Sequence, residues 1–206
     1  MYIPKHFAND DVAEMQALMR AHPLATLVSH GPEGLEANHI PLLLEAHGAC
    51  GTLQGHVARA NPLWKAGNVT GEVLVIFHGD DSYISPSGYA TKAEHGKVVP
   101  TWNYATVHAY GELKVIDDPV WLLKQASALT NAHEVALPQP WAVNDAPTDY
   151  IEKMLGAIVG IEITITRLLG KWKVSQNQPA ENRATLIAAL EKAGNPMAGL
   201  IRAGRQ

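Results

Sequence analysis

Between Leu24 and Ser175, apolar and β-branched runs are separated mostly by short clusters of Gly, Pro, Asn and Asp. That punctuation is what most constrains the fold. A doubly wound parallel sheet needs a helix after nearly every strand, and strict strand–helix alternation is absent. Some seven or eight strands joined by tight turns instead predict a mainly β fold with peripheral helices (α+β), an antiparallel barrel with appended helices.

The elements can be placed one by one. Asn9, Asp10 and Asp11 offer N-caps, and Val12, Met15, Leu18 and Met19 follow at helical spacing until Pro23. Leu24–Ser29 reads as a strand, and His30–Gly34 as a turn. Leu35–Leu44 is a second strand in which Pro41 implies an edge or a bulge. A third strand ends near Val57, and 58–65 reads as a short helix. Glu72–His78 is a strongly apolar strand, with a turn expected at Gly79-Asp80-Asp81. Val98–Ile116 reads as two strands broken around Asn103–Thr106. Asp118 and Pro119 open a helix to about Ala132, and Thr148 opens another to Leu155. Val159–Arg167 alternates Ile161, Ile163 and Ile165 with Glu162, Thr164 and Thr166. Gly170 is expected to turn the chain back into Lys171–Ser175. Pro179 and Glu181 open a last helix, which Gly194-Asn195-Pro196 stops. The Pro-rich stretch Leu137–Pro147 is short, so 1–206 is read as a single domain.

Composition excludes several classes. One cysteine, Cys50, leaves no internal disulfide framework and no cysteine-rich zinc module. The ten histidines form no H-x-H or H-x-x-x-H pair, so no metal site is expected. A formal charge of −4 argues against a generally basic nucleic-acid binder. No apolar run approaches the ~18 residues of a membrane span, and Met1–Asp11 has no secretory-signal pattern, so cytoplasmic residence is expected. Only 17% of residues are charged, which suits a surface partly covered by a partner subunit.

The common catalytic signatures are missing: no phosphate-binding G-x-x-x-x-G-K-[ST], no G-x-G-x-x-G, no H-E-x-x-H and no G-x-S-x-G. What remains is four polar–aromatic clusters at strand ends. Gly55–Pro62 places His56, Arg59 and Asn61 at a strand-to-helix junction, which suits a phosphate or is an ordinary capped turn with a solvated arginine. Tyr83–Tyr89 sets Ser85 and Ser87 between two tyrosines. Lys97–Tyr104 combines Lys97, Val98, Pro100, Thr101 and Trp102 with an amide and a second aromatic. Lys171–Asn177 brings Lys173, Ser175, Gln176 and Asn177 around Trp172. Together they offer cations and hydroxyls for a phosphate, aromatic faces for a flat ring and amides for a ring edge. That is the inventory for a phosphorylated planar heterocycle such as FMN.

At these residues the sequence resembles the PaiB family, the FMN-binding negative transcriptional regulators. The motifs run from Met1-Tyr2-Ile3-Pro4-Lys5-His6-Phe7 through Gly55–Pro62, Tyr83–Ser87, Val99–Tyr104 and Val107–Ala109 to Gly170–Asn177. This chain has Gly88 where the family usually has Trp, and Gln178 where it usually has Arg. The family is similar to the flavin-binding split barrels. The resemblance therefore implies a Greek-key antiparallel split barrel, a homodimer and FMN at the subunit interface. It makes Arg59 and Lys97 candidates for the phosphate. His56, Asn61, Ser85 and Ser87 fall to the phosphate and ribityl region, and Val98, Pro100, Thr101 and Trp102 to the ring. Lys173, Ser175, Gln176 and Asn177 are candidates to reach the flavin from the partner. Related barrels also bind haem or deazaflavin.

Three functions follow from that resemblance. The first is a negative transcriptional regulator, with flavin redox state as a signal; no helix-turn-helix is evident, so regulation can be indirect and direct DNA binding is left open. The second is a flavin-dependent oxidoreductase or flavin reductase, with His56 and His108 able to move protons but no residue marked as catalytic. The third is a plain binding module, with FMN or another anionic heterocycle as a structural or stored ligand.

Overall fold

The hairpin of β2 (Leu24–Gly31) and β3 (Gly34–Pro41) shows the local rules at work. The strands pair antiparallel from Leu24 opposite Pro41 to Gly31 opposite Gly34, and only Pro32 and Glu33 make the turn. Ala25, Leu27 and Ser29 alternate inward on β2. Pro41 ends β3 because it has no N–H for a ladder. The chain resumes as β4 (Leu43–Glu45) after Leu42 donates its N–H to the Pro23 carbonyl at 2.9 Å. The expected strand 35–44 is thus split at its proline.

The computed structural model describes residues 1–204. Among them, β1 (Ala8–Asn9), α1 (Val12–Ala21), β2, β3, β4 and β5 (Thr52–Ala58) come first. β6 (Val73–Ile84), α2 (Lys92–His95), β7 (Thr101–Ile116), α3 (Pro119–Glu134), α4 (Thr148–Gly156), β8 (Ile158–Lys173), α5 (Ala180–Lys192) and α6 (Met197–Ala203) follow. The eight strands form one sheet ordered β3-β2-β6-β7-β8-β5-β4, with β1 on β8. β6, β7 and β8 are successive neighbours, whereas the β5-to-β6 connection crosses the strand order. The strand path is not closed; its two ends are β3 and β4.

The chain divides into two compact units. Unit 1 holds Met1–Leu18, His78–Val107 and the segment from Leu169; unit 2 holds Met19–Phe77 and His108–Leu168. In unit 1, Ile84, Tyr89, Val174, Leu186, Met197 and Ile201 form a buried cluster, with Val98, Trp172 and Leu190 packed against it. Burying each such side chain favours folding by about 1.5–3 kcal/mol. Asn182 donates to Thr91 Oγ1 and accepts from the Thr91 N–H, both at 3.0 Å, so two buried polar residues satisfy each other and tie α5 to the start of α2. In unit 2, Leu27, Leu53, Val75, Leu122, Ile161 and Ile163 are almost wholly buried.

Four expectations change. β6 runs straight through Gly79-Asp80-Asp81, and β8 straight through Gly170. At both glycines a Cβ would collide, with Leu18 at 2.9 Å for Gly79 and with the Asn9 carbonyl at 2.6 Å for Gly170. These glycines serve close approach inside a strand, not a turn. β7 is one strand from Thr101 to Ile116, because Asn103 is buried and its amide is satisfied by Ser175. The short helix expected at 58–65 is only a 3-10 turn at Pro62–Trp64, since Lys65 is already extended. α2 and α6 had no expectation.

Candidate functional site

In unit 1 two lysines leave β8 two residues apart, on one face of the strand. Lys173 Nζ donates to Thr101 Oγ1 and to the Trp102 carbonyl. Lys171 Nζ donates to the Tyr2 carbonyl at 3.1 Å and lies 5.2 Å from the Tyr104 ring centre. Among the described residues neither lysine has a carboxylate partner. Burial pushes the Lys173 ammonium below the usual lysine range, and the charge of Lys171 pushes it the same way. Beside them Tyr83 and Trp102 meet edge to face at 5.9 Å. Both rings are about half exposed, 53% and 55%, and Val99 is 74% exposed.

The neighbouring turns are ordered by their own side chains. Ser85 Oγ accepts from the Ser87 N–H at 3.2 Å, and Ser87 Oγ accepts from Lys92 Nζ at 3.1 Å. Lys97 is exposed, with its N–H on His95 Nδ1 at 3.0 Å. Val98 packs on the core cluster, while Pro100 is exposed. Ser175 is buried at φ +60°, the left-handed region, and accepts from Asn103 Nδ2 at 2.8 Å. Gln176 Oε1 accepts from the Val174 N–H at 2.7 Å and its Nε2 donates to the Trp172 carbonyl at 2.6 Å, so it bridges the turn. Asn177 is exposed. The Tyr89 hydroxyl is buried with no partner in hydrogen-bond geometry. Burial raises its pKa, and the Ser175 hydroxyl partly offsets this.

The two family departures have local consequences. A side chain at Gly88 would start 3.3 Å from Leu186, and the Gly88 carbonyl accepts from Thr185 Oγ1 at 2.7 Å. α5 therefore packs where a residue larger than glycine would extend. Gln178 Oε1 accepts from Asn182 Nδ2 at 3.3 Å.

His56, Arg59 and Asn61 lie in unit 2. Arg59 donates from Nε to the Gly156 carbonyl at 2.8 Å. Its Nη1 and Nη2 grip Asp117 at 2.9 and 2.6 Å, and Nη2 also reaches the Ile158 carbonyl at 3.0 Å. Four of its five N–H groups are engaged. The paired hydrogen bonds hold Asp117 below the usual carboxylate range and raise Arg59. His56 Nδ1 is 2.8 Å from Gln125 Oε1, and Gln125 is buried with its Nε2 lacking a partner among the described residues. Asn61 caps the 3-10 turn through Leu63 N at 2.9 Å and donates to Asn38 Oδ1 at 2.7 Å.

The structure thus brings Thr101 and Trp102 to Lys173, and Ser85 to Ser87. It adds Lys171, Lys92, Tyr83, Tyr104 and Asn103, which the sequence reading did not single out as site residues. Lys171 was legible from its two-residue spacing to Lys173. Lys92 had no local signal, because its reach to Ser87 depends on α2. No cluster of His, Cys, Asp and Glu that could hold a metal ion occurs among the described residues. None of their helices is long and apolar enough to cross a membrane.

Residues 1–167 match the family described as "Putative FMN-binding domain". The chain is also 29% identical to the protease synthase and sporulation protein PAI 2 of Bacillus subtilis (strain 168), over 96% of this chain and 93% of that one. The chain belongs to the PaiB family of FMN-binding proteins. Within this FMN-binding family it is 35% identical to an uncharacterised protein of Emericella nidulans, over 98% of this chain and 96% of the relative. Its fold matches the FAD and heme binding protein of Mycobacterium smegmatis at a TM-score of 0.57 and 15% identity, over 88% of this chain and 79% of that one. The fold is the split barrel of flavin-binding proteins, as the resemblance implied. The donor set fits FMN: cations without a counter-ion, exposed aromatic edges, and hydroxyls and amides in ordered turns. Lys171–Asn177 lies beyond the matched stretch.

Proposed function

We propose that FMN binds at the Lys171–Lys173 pair and the Tyr83–Trp102 edge, and that the protein uses it as a negative regulator of transcription acting indirectly. The observation that carries the site is the lysine pair: two half-buried cations with no carboxylate beside them among the described residues. Such a pair is stabilised when an anion arrives. Lys173 and Lys171 supply positive charge toward the anionic cofactor. Ser85 and Ser87, with Lys92 and Lys97, serve the phosphate and ribityl chain. Val98, Pro100, Thr101 and Trp102 wall the ring, and the backbone at Ser175 with the side chains of Gln176 and Asn177 supplies hydrogen bonds at its edge. His56, Arg59 and Asn61 lie in unit 2, where Arg59 is held by Asp117, and have no role in this reading. When bound, FMN supplies redox chemistry that the side chains lack; the chain binds it, orients it and excludes water.

In this reading residues 1–206 act as one FMN-binding domain, and the protein is a cytoplasmic homodimer with the flavin at the subunit interface. The name of the Bacillus relative supports a regulatory role. Two features favour an indirect route: the net charge of −4, and Arg183 of α5, which turns inward to the Ile201 and Gly204 carbonyls.

Purified protein is expected to show flavin absorption bands that denaturation releases, and flavin-free protein to quench FMN fluorescence on titration. A colourless protein that leaves FMN fluorescence unchanged would sink the reading. Deleting the gene should raise transcription of its targets, while the protein should give no specific shift of upstream DNA at physiological salt. Rapid reduction of bound FMN by NADH or NADPH under anaerobic conditions would instead favour an oxidoreductase.

A further inference from the structure

We infer that Asn103 is a positioning residue for flavin binding, acting through a left-handed backbone at Ser175. The inference rests on the proposed placement of FMN at Lys173. Ser175 has φ +60°, a region that non-glycine residues rarely occupy and that costs free energy to hold. Among the described residues it is the one non-glycine with positive φ. It lies two residues after Lys173, where the chain leaves β8. Something must hold it there, and from outside the turn the Ser175 hydroxyl lies beside the buried Tyr89 hydroxyl and is tied by a hydrogen bond to Asn103. Asn103, 1% exposed on β7, donates its Nδ2 hydrogen to Ser175 Oγ at 2.8 Å.

Val174 beside it is packed in the buried cluster, and the remaining hydrogen bonds lie within the turn. Gln176 joins Val174 to Trp172, and the Gln178 N–H reaches the Ser175 carbonyl at 3.0 Å. Neither contact fixes the turn against β7. The Asn103 bond does, and β7 also carries Thr101 and Trp102, the two residues that Lys173 Nζ touches. β7 and β8 already pair as neighbours, and this buried hydrogen bond extends their alignment into the turn after Lys173, beside the strand whose aromatic edge is proposed to face the flavin. The Asn103 amide makes no direct contact with the cofactor; its effect runs through backbone shape.

This separates shape from contact in a way substitution can read. Alanine at 175 removes the tie but keeps the left-handed cost. Glycine removes both. FMN affinity is measured on the flavin-free full-length chain by fluorescence quenching, with a thermal melt of each variant to confirm folding. Ser175→Ala and Asn103→Leu are each expected to weaken FMN binding about 5- to 30-fold, the cost of a left-handed residue that must be re-formed on binding. Ser175→Gly is expected to bind close to the original chain. The double variant Asn103→Leu/Ser175→Gly is expected to recover most of what Asn103→Leu loses.

Equal weakening by Ser175→Ala and Ser175→Gly would overturn the inference, since it would mean that the hydroxyl itself meets the flavin. So would full binding by Ser175→Ala in a background where Lys173→Met weakens FMN. If Lys173→Met leaves FMN affinity unchanged, the site placement fails instead, and the two failures are distinct. Should Asn103→Leu not fold, the alanine–glycine comparison at 175 still decides, because Asn103 loses its acceptor equally in both.

Discussion

At the level of single residues, the proposed site turns on the protonation of Lys173. Burial and the charge of Lys171 both lower its pKa from the ordinary lysine value. The flavin-free protein therefore binds fewer protons than the unfolded chain in the window between the depressed and the ordinary value. In that window stability rises with pH. An anion at Nζ favours the charged lysine, so flavin binding takes up a proton there. FMN affinity is expected to fall as pH rises through the depressed pKa. Titrations across alkaline pH should show this fall, and Lys173→Met should flatten it. The flavin's own alkaline ionisation is common to both proteins, so the difference isolates the lysine. Equal slopes in the two proteins would remove Lys173 from the site. At the same scale, Arg59 illustrates what a motif alone leaves open. Its spacing suited a phosphate, yet its guanidinium closes on Asp117 and on the carbonyls of Gly156 and Ile158.

At the level of elements, local chemistry was legible where it was self-contained. α1 begins after its Asn and Asp caps; Asp118 caps α3 by accepting from the Val120 N–H at 2.9 Å, with Pro119 as the first helical residue. Glycines in strands were misread, because a turn and a close approach draw on the same residue. Gly170 is the test. β1 pairs with β8 through Ala8 opposite Lys171 and Asn9 opposite Gly170. Gly170→Ala would set a Cβ 2.6 Å from the Asn9 carbonyl, and backbone yields less readily than a side-chain tip. The variant is expected to lose about 1–3 kcal/mol of stability in denaturant unfolding, as overpacking does. It should also expose the amides of Ala8 and Asn9 to hydrogen exchange. An unchanged midpoint would mean that β1 is not held by this contact. Asn103 was misread for a related reason. An amide in a β-branched stretch resembles a break, unless a partner such as Ser175 satisfies it within the sheet.

On the scale of the whole molecule, the low charged fraction and the exposed Tyr83, Val99 and Trp102 support the proposed homodimer. Light scattering on a size-exclusion column is expected to give twice the 22.2 kDa chain mass. Trp102→Glu, which places a charge on that apolar edge, is expected to shift the protein toward monomer and to weaken FMN binding with it. A dimer that persists in this variant with FMN affinity intact would place both the interface and the flavin elsewhere. The sequence by itself determined the kind of fold, through turn punctuation and alternation, because those patterns are local. It also determined the cofactor class, through several motifs in one order and a shared donor chemistry. Tertiary structure alone decided which candidates meet. Lys173 and Thr101 are 72 residues apart, and Arg59 and Asp117 are 58 apart. No local pattern encodes contacts at such range; the order in which strands pair creates them. That pairing leaves one cation without a carboxylate and seals another against one, which is the difference between a candidate ligand site and a structural clamp.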